Sequence, residues 1–240
     1  GSLGVAQKTL TSSLVGIDRN YDGSTSATVN AAPGGLTGGD SVVLAYTAAN
    51  FADKHVGTGK AINVTGISLV GADALNYTIA STGSASASIF AAPITLASST
   101  VNKAYDGGVG ALGTATVSAG TLFGGDSLSG GTFAFTDKNV GPGKTVTASG
   151  ITVNDGNGGA NYLVSYANNT SSSISPAGLT VTAPTITKVY DGTTNATGNA
   201  IVGALAGAAA GEQVGLAATL AYTDQNVGIG NKTTRAAGLT

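Results

Sequence analysis

A ten-residue segment that occurs three times constrains the fold more than any other feature of this sequence. The segment 51–60 (FADKHVGTGK) returns as 135–144 (FTDKNVGPGK) and, with more changes, as 222–231 (YTDQNVGIGN). The copies begin 84 and 87 residues apart. Intervals of this length are within the size range of a compact domain. The sequence therefore predicts a chain of tandem repeats.

A Tyr-Asp-Gly triplet precedes each copy of this segment, starting at Tyr21, Tyr105 and Tyr190. Asp-Gly is a strong turn signal, because Asp can bond its own backbone and Gly takes positive φ without steric cost. Apolar and hydroxyl side chains alternate around these turns, and period-two alternation indicates strands. We predict six or seven short strands per repeat and no helix. The Ala-rich segment 204–211 is interrupted by Gly, so we interpret it as a loop.

Six positions of this framework recur in every repeat. They are Tyr21, Asp22, Gly23, Phe51, Asp53 and Gly57, then Tyr105, Asp106, Gly107, Phe135, Asp137 and Gly141, then Tyr190, Asp191, Gly192, Tyr222, Asp224 and Gly228. We interpret the Asp residues as turn caps and the aromatic residues as anchors against the core. His55 takes the place of Asn139 and Asn226, and both residue types tolerate left-handed turn conformations. Lys60 and Lys144 are interpreted as solvated residues at the start of a strand.

Short strands at this spacing predict an all-β fold of tandem immunoglobulin-like β-sandwiches, each of about 85 residues, that form an elongated rod. A small barrel and a parallel β-helix are the alternatives, although a β-helix would show a period of roughly 20 to 30 residues. The predicted organisation is 1–7 as a tag scar or the remnant of a preceding strand, 8–92 as the first repeat, 93–175 as the second and 176–240 as the third, cut short at its C-terminal side.

Composition excludes several classes of function. Only 9% of the residues are charged and the net charge is −2, so the chain lacks the basic stripe with which proteins bind nucleic acid. No apolar run approaches the roughly 18 residues that a membrane-spanning segment needs. There is no Cys, which excludes disulfides and thiolate chemistry. With few aromatic residues, the core of each repeat is predicted to consist mainly of Val, Ile, Leu and Ala.

The set of recurring motifs resembles the YDG repeat domain. The motifs are Lys-x-Tyr-Asp-Gly at 103–107 and 188–192, Gly-Gly-Asp at 38–40 and 124–126, Asp-Lys-Asn-Val-Gly-x-Gly-Lys at 137–144, and Asn-Tyr at 76–77 and 161–162. The chain is also similar to the related MBG (mostly bacterial immunoglobulin-like) domain of large secreted adhesins, including filamentous-haemagglutinin-like exoproteins. The resemblance covers residues 8–240. It departs at Arg19, where the other repeats have Lys, and where the third repeat stops before its Asn-Tyr strand.

This resemblance implies a stalk or spacer on the surface of a Gram-negative bacterium, within a longer secreted or cell-surface protein for adhesion or biofilm formation. It implies no catalytic residues, and we expect no enzymatic activity and no cofactor. The expected partners are neighbouring repeats of the same chain. If the native boundary lies at Thr240, the incomplete third repeat is expected to expose a sheet edge and to dimerise or aggregate.

The alternative to a protein without a cofactor is a protein that binds calcium. Asp22, Asp40 and Asp53 recur, and three carboxylates can converge on a calcium ion. Asp155 lies in 154–159 (NDGNGG), which locally resembles a calcium loop. That segment lacks the dense alternating carboxylates and the terminal Glu of an EF-hand, however. A turn cap beside Gly is an adequate explanation for each recurring Asp.

A second functional hypothesis is a binding module that recognises a polysaccharide or a host surface. A site unique to one repeat need not follow the framework, so non-repeated residues are its candidates. Tyr166, Asn168 and Asn169 form the best such group in the sequence. Loss of glycan binding on Tyr166→Ala would support this hypothesis.

Overall fold

The computed structural model describes residues 1, 4–202, 219–228 and 234–237. Over these ranges the chain is almost entirely β, with one short 3-10 helix at Ala74–Asn76 and no α-helix. None of the described residues belongs to a helix long and apolar enough to span a membrane. The Ala-rich segment 204–211, predicted to be a loop, lies outside these ranges. Residues 4–7 are not assigned to a strand.

The first repeat contains ten strands, more than the six or seven that its sequence pattern predicts, whereas the second contains the predicted seven. In the first repeat they are β1 (Lys8–Thr9), β2 (Thr11–Gly16), β3 (Arg19–Asn20), β4 (Val29–Gly34), β5 (Val43–Ala45), β6 (Ala48–Phe51), β7 (Gly57–Thr65), β8 (Ser68–Val70), β9 (Tyr77–Thr78) and β10 (Thr82–Phe90). In the second they are β11 (Ala92–Ser98), β12 (Asn102–Ala104), β13 (Ala115–Gly120), β14 (Ser127–Phe135), β15 (Gly141–Asn154), β16 (Tyr162–Tyr166) and β17 (Asn169–Ser175). The described part of the third has β18 (Val181–Thr182), β19 (Asn195–Ala196), β20 (Ile201–Val202), β21 (Thr219–Tyr222) and β22 (Thr234–Ala237).

Each of the first two repeats contains a four-stranded sheet with the same order. In the first repeat the order is β3-β10-β7-β6, and in the second it is β12-β17-β15-β14. The remaining strands pair as β1-β9, β2-β4 and β5-β8 in the first repeat and as β13-β11-β16 in the second. Strand pairing thus repeats along with the sequence motifs.

The pairing is mixed rather than antiparallel throughout, which the alternating pattern did not indicate. The strands at the start of a repeat run parallel to strands near its end, as β1 does to β9, β3 to β10, β11 to β16 and β12 to β17. Alternation reports which face of a strand is buried and carries no information about the direction of its partner. Parallel pairing therefore could not be deduced from it.

The chain forms two compact units whose boundary passes through the second repeat. The first unit consists of 1–99, 114–132 and 148–167, and the second of 100–113, 133–147 and 168–240. Strands β11, β13 and β16 of the second repeat therefore belong to the same unit as the whole of the first repeat. Both units bury mainly aliphatic side chains, as the composition predicts, including Leu10 and Val42 in the first and Val146 and Ile174 in the second.

Candidate functional site

The ten-residue segments form turns, as predicted. In all three, an Asp carboxylate accepts a hydrogen bond from the backbone N–H two residues later: Asp53 from His55 (2.8 Å), Asp137 from Asn139 (2.8 Å) and Asp224 from Asn226 (2.9 Å). The expected left-handed conformation at His55 is wrong, because only glycines have positive φ among the described residues. Gly59, with φ of 58°, provides that conformation in the first copy.

The lysines that follow these turns are not solvated, contrary to the sequence interpretation. Lys60 Nζ lies 2.5 Å from an Asp53 carboxylate oxygen and 2.7 Å from the His55 carbonyl oxygen, and Lys144 pairs with Asp137 in the same way. The hydrogen bond from Lys60 holds the pKa of Asp53 below its usual value, and that from Lys144 does so for Asp137. The lysine thus ties the strand after the turn to the Asp that caps it.

The Tyr-Asp-Gly triplets also form turns, each fixed by a cation three residues before the Asp. Asp106 accepts the Gly108 N–H (3.0 Å) and pairs with Lys103 Nζ at 2.7 Å. The other two repeats have the same arrangement, with the pairs Arg19–Asp22 and Lys188–Asp191. Arg19 therefore takes the role of the lysine that the family pattern has at this position.

Cations and aromatic rings link the two kinds of turn within each repeat. The cation beside the Tyr-Asp-Gly turn lies over the ring that opens the ten-residue segment, in the pairs Arg19–Phe51 (5.4 Å), Lys103–Phe135 (5.4 Å) and Lys188–Tyr222 (5.8 Å). In return, the lysine of the segment lies over the Tyr-Asp-Gly ring, in the pairs Lys54–Tyr21 (5.6 Å) and Lys138–Tyr105 (5.9 Å). The third repeat has Gln225 at this lysine position, so it lacks the second cation.

The Gly-Gly-Asp and Asn-Tyr motifs meet through a tyrosine hydroxyl. In the second repeat, Tyr162 Oη donates to Asp126 Oδ2 (2.6 Å) and accepts the Phe123 N–H (2.9 Å). In the first repeat, Tyr77 Oη donates to Asp40 Oδ2 and accepts a backbone N–H three residues before that Asp (3.0 Å). Each of these two repeats therefore contains an Asp carboxylate that is held by a tyrosine of its own repeat.

Within the first compact unit, the second of these carboxylates also binds two side chains of the first repeat. Tyr21 Oη donates to Asp126 Oδ2 (2.9 Å), and Lys54 Nζ lies 3.3 Å from Asp126 Oδ1. Tyr21 is only 1% exposed and the Asp126 side chain only 2%. We refer to Tyr21, Lys54, Phe123, Asp126 and Tyr162 as the Asp126 cluster. A nearly buried carboxylate is stabilised here by one ammonium and two phenols.

Three rings enclose this carboxylate. Tyr21 packs edge-on against Phe123 (5.7 Å between centroids) and Tyr162 (5.4 Å), which stack on each other at 6.3 Å. Gly23 allows the close approach, because a Cβ added there would lie 3.0 Å from the Phe123 Cβ and its φ of 79° disfavours any other residue. The Tyr-Asp-Gly turn of the first repeat is thus fitted to the surface of the second.

A second contact in the same unit uses backbone and amide groups. Val56 N–H donates to Asn161 Oδ1 (3.0 Å), and the Asn161 side-chain nitrogen lies 3.2 Å from His55 Nδ1. Asn161 is buried, and its backbone N–H donates to the buried Asp155 carboxylate (3.0 Å). Asp155 accepts two further N–H groups, from Asn157 and Gly159. Asp155 therefore fixes the loop that presents Asn161 to the ten-residue turn.

Burial and hydrogen bonds together determine the protonation states in the Asp126 cluster. Burial is the main cause of the raised pKa of Tyr21, and burial together with the hydrogen bond to Asp126 raises the pKa of Tyr162 well above that of a free phenol. Hydrogen bonds with Tyr21 and Asp126 raise the pKa of Lys54. Both phenols therefore remain neutral donors and Lys54 remains charged at neutral pH.

Comparison with protein families assigns all three repeats to one family. The model of the YDG domain matches the chain three times, over residues 6–85, 91–171 and 175–240. The chain belongs to the YDG domain family. Comparison with curated proteins and with solved structures gave no match.

The candidate calcium ligands of these YDG domains lie at separate sites, and each is hydrogen-bonded or ion-paired to other groups. Asp22 pairs with Arg19, and Asp40, Asp53 and Asp155 accept hydrogen bonds from tyrosine, lysine and backbone groups as described above. Nowhere in the described ranges do three or more His, Cys, Asp or Glu side chains form a group that could hold a metal ion. The structure therefore does not bring the predicted calcium ligands together.

The candidate ligand-binding residues divide between the two compact units. Tyr166 lies in the first unit, and its partly exposed side chain accepts the Ile151 N–H through the hydroxyl (3.1 Å). Asn168 and Asn169 lie in the second unit, where the Asn169 side-chain oxygen accepts hydrogen bonds from the Ser171 N–H and the Ser172 hydroxyl. Tyr166 thus contacts strand β15, and Asn169 makes hydrogen bonds within its own strand, β17.

The contacts between YDG domains were not predicted, although Tyr21 and Asp126 belong to motifs that recur in the sequence. The tyrosine of Tyr-Asp-Gly was predicted only to be an anchor against the core. The hydroxyl of Tyr21 instead reaches Asp126 of the next domain. One available signal was the exchange of Lys54 and Lys138 for Gln225 in a turn that keeps its Asp, its Val and both Gly residues, since a residue that only served the turn would need no charge.

Proposed function

We propose that this chain is a structural stalk or spacer of a large bacterial cell-surface or secreted adhesin. Its YDG domains are immunoglobulin-like β-sandwiches related to MBG domains, stacked in tandem as an elongated rod. The rod projects a distal binding region from a Gram-negative cell for adhesion or biofilm formation. Its partners are neighbouring domains of the same chain, and it carries out no catalysis.

The Asp126 cluster is the observation that supports this proposal. A stalk transmits force and keeps its distal binding region at a fixed distance from the cell only if consecutive domains resist bending at their junction. Here side chains of two consecutive domains share a nearly buried carboxylate, and Val56 donates its backbone N–H across the same contact. Buried hydrogen bonds to a charged group contribute more than those at a solvated surface. Such a junction favours one relative orientation of the two domains.

The short connection between these domains supports the same proposal. Strand β10 ends at Phe90 and β11 begins at Ala92, so one residue separates the last strand of the first domain from the first strand of the second. Hydrogen bonds bracket this connection, from Tyr21 N–H to Phe90 O (2.8 Å) and from Ala92 N–H to Asn161 O (2.9 Å). A flexible linker would be longer and free of such bonds.

Small-angle scattering on the intact chain tests the rod. A compact globule of this length would have a radius of gyration of roughly 18 Å, and stacked domains should give a distinctly larger value. Asp126→Ala should broaden the distance distribution through bending, whereas Asp18→Ala, outside the cluster, should not. A radius of gyration near that of a globule would contradict the proposal.

Replacement in the parent adhesin tests the role. Exchanging the YDG domains for unrelated β-sandwich domains of equal total length should leave adhesion unchanged if they act as a spacer. Deleting them without replacement should reduce adhesion, because the binding region then lies closer to the cell. Loss of adhesion on the equal-length exchange would instead indicate that the YDG domains bind the target themselves.

A further inference from the structure

In each of the first two YDG domains, an early strand pairs in parallel with the last strand. Strand β3 pairs with β10 in the first domain, and β12 pairs with β17 in the second. One further backbone hydrogen bond extends each pair, from Tyr21 N–H to Phe90 O (2.8 Å) and from Tyr105 N–H to Ser175 O (2.8 Å). The segments by which the chain enters and leaves a domain therefore run side by side in the same direction.

This direction decides how the paired strands respond to tension along the chain. Tension draws the early strand toward its N-terminal end and the last strand toward its C-terminal end. In a parallel pair these two pulls are opposed along the strand axis, so the strands separate only by sliding. Because the hydrogen bonds of a parallel pair are evenly spaced along the strands, sliding strains all of them together. An antiparallel pair of the same segments would be loaded at one edge and would open one bond at a time.

We propose that the pair β12–β17 is a mechanical clamp that bears tension applied along the chain. This inference rests on the proposed function, in which the chain is a stalk under load, and it identifies the element that carries the load in the second domain. The equivalent pair β3–β10 gives the first domain the same loading geometry.

Side chains reinforce the clamp between its two strands. The Ser172 hydroxyl accepts the Val101 N–H (3.0 Å), and the Ser173 hydroxyl donates to Asn102 Oδ1 (2.7 Å). The Ser173 N–H also donates to Val101 O (3.0 Å). Ser172 is fully buried, so water does not reach its hydroxyl until the strands have begun to move. Burial therefore protects the clamp against exchange of its bonds with solvent.

Lys103 anchors β12 to the turn that follows it. Its Nζ lies 2.7 Å from an Asp106 carboxylate oxygen and binds the carbonyl oxygens of Gly108 (2.8 Å) and Gly110 (3.0 Å). The same ammonium lies 5.4 Å from the centroid of the buried Phe135 ring. These contacts oppose fraying of β12 from its C-terminal end, which leaves sliding against β17 as the route of separation.

Single-molecule force spectroscopy on the intact chain tests the clamp through the direction of pull. The chain has no Cys, so introduced cysteines define the attachment points. Thr100→Cys with Gly178→Cys loads β12 and β17 at opposite ends, whereas Gly108→Cys with Gly178→Cys loads both at their C-terminal ends. All three sites are exposed. The first geometry should need a rupture force about threefold higher, because three residue pairs then share the load.

A substitution within the clamp provides the second readout. Ser173→Ala removes the hydroxyl that donates to Asn102 and should lower the rupture force with the Thr100 and Gly178 attachments. Ser171→Ala is the matched control, since it makes the same change on β17 outside the residues that pair with β12, and it should leave that force unchanged.

Equal rupture forces in the two geometries would overturn the clamp, as would equal effects of Ser173→Ala and Ser171→Ala. Either result, obtained with a chain that is elongated in small-angle scattering, would leave the proposed function standing. A compact particle in scattering would reject the proposed function, whatever the rupture forces are.

Discussion

Removing the Tyr21 hydroxyl isolates the contribution of the Asp126 cluster. Tyr21→Phe deletes the 2.9 Å hydrogen bond to Asp126 and leaves the ring against Phe123 and Tyr162. Asp126 keeps Tyr162 and Lys54 as partners. The change therefore removes one hydrogen bond to a nearly buried carboxylate and little else.

The expected destabilisation follows from that geometry. A hydrogen bond to a charged group contributes about 1.5–3 kcal/mol. The Asp126 side chain is too buried for water to replace the lost hydroxyl fully, so the loss should be within this range. An increase of roughly 10- to 150-fold in local opening of the contact corresponds to this free energy.

Native-state hydrogen exchange measures this opening directly. The amide of Val56 donates across the contact to Asn161, so it exchanges when the contact opens. Tyr190→Phe is the control, because the same substitution at an exposed tyrosine of the same motif should change stability by no more than about 0.5 kcal/mol.

A double-mutant cycle with Asp126→Asn distinguishes this interaction from a general loss of packing. If Tyr21 acts through Asp126, the two effects should fall short of additivity by about 0.5–3 kcal/mol. Val56 exchange that responds equally to Tyr21→Phe and Tyr190→Phe would refute the reasoning, and so would strict additivity in the cycle.

Three further predictions concern acid, base and backbone. Hydrogen bonding from its lysine depresses the pKa of Asp191 to about 2, so its contribution to stability is complete above the unfolded value near 3.8 and should be lost as the pH falls toward 2, as followed by circular dichroism. The pKa values of Tyr21 and Tyr162 are raised, so below pH 10 their contribution is complete, and both phenols should ionise at 295 nm only at higher pH or with unfolding. Gly66→Ala should lower stability by at least about 1–2 kcal/mol in thermal melts, because φ there is 66° and the new Cβ would lie 2.0 Å from a threonine oxygen. Gly59→Ala shares the positive φ but meets no atom within 4 Å, so a loss equal to that of Gly66→Ala would show that the clash has no effect.

Local chemistry explains what the sequence could predict. Asp53 caps its own turn through a bond two residues along the chain, and Gly23 takes the positive φ that Asp-Gly turns favour. Both features depend only on neighbours in sequence, so three copies were enough to identify them. The β character followed in the same way from alternation along each strand.

Long-range pairing explains what the sequence could not predict. Lys60 looked solvated because nothing in the sequence shows that its ammonium turns back to Asp53 and the His55 carbonyl. The hydrogen bond between Tyr21 and Asp126 joins residues 105 positions apart, and it requires the packing of one domain against the next. Repetition with a period of one domain indicates which residues recur, but not whether a residue contacts its own domain or its neighbour.

Differences among the three copies separate the residues that build a YDG domain from those that join two domains. The Asp of the ten-residue turn and the aromatic residue before it keep their roles in every copy, because each domain needs them to fold. Lys54 changes to Gln225, and Phe123 has Thr37 as its counterpart, at positions that contact the adjoining domain or correspond to such positions. Folding therefore fixes the first set, whereas the second set can vary without loss of the fold. Stiffness can then differ from one junction to the next along a chain built from one kind of domain.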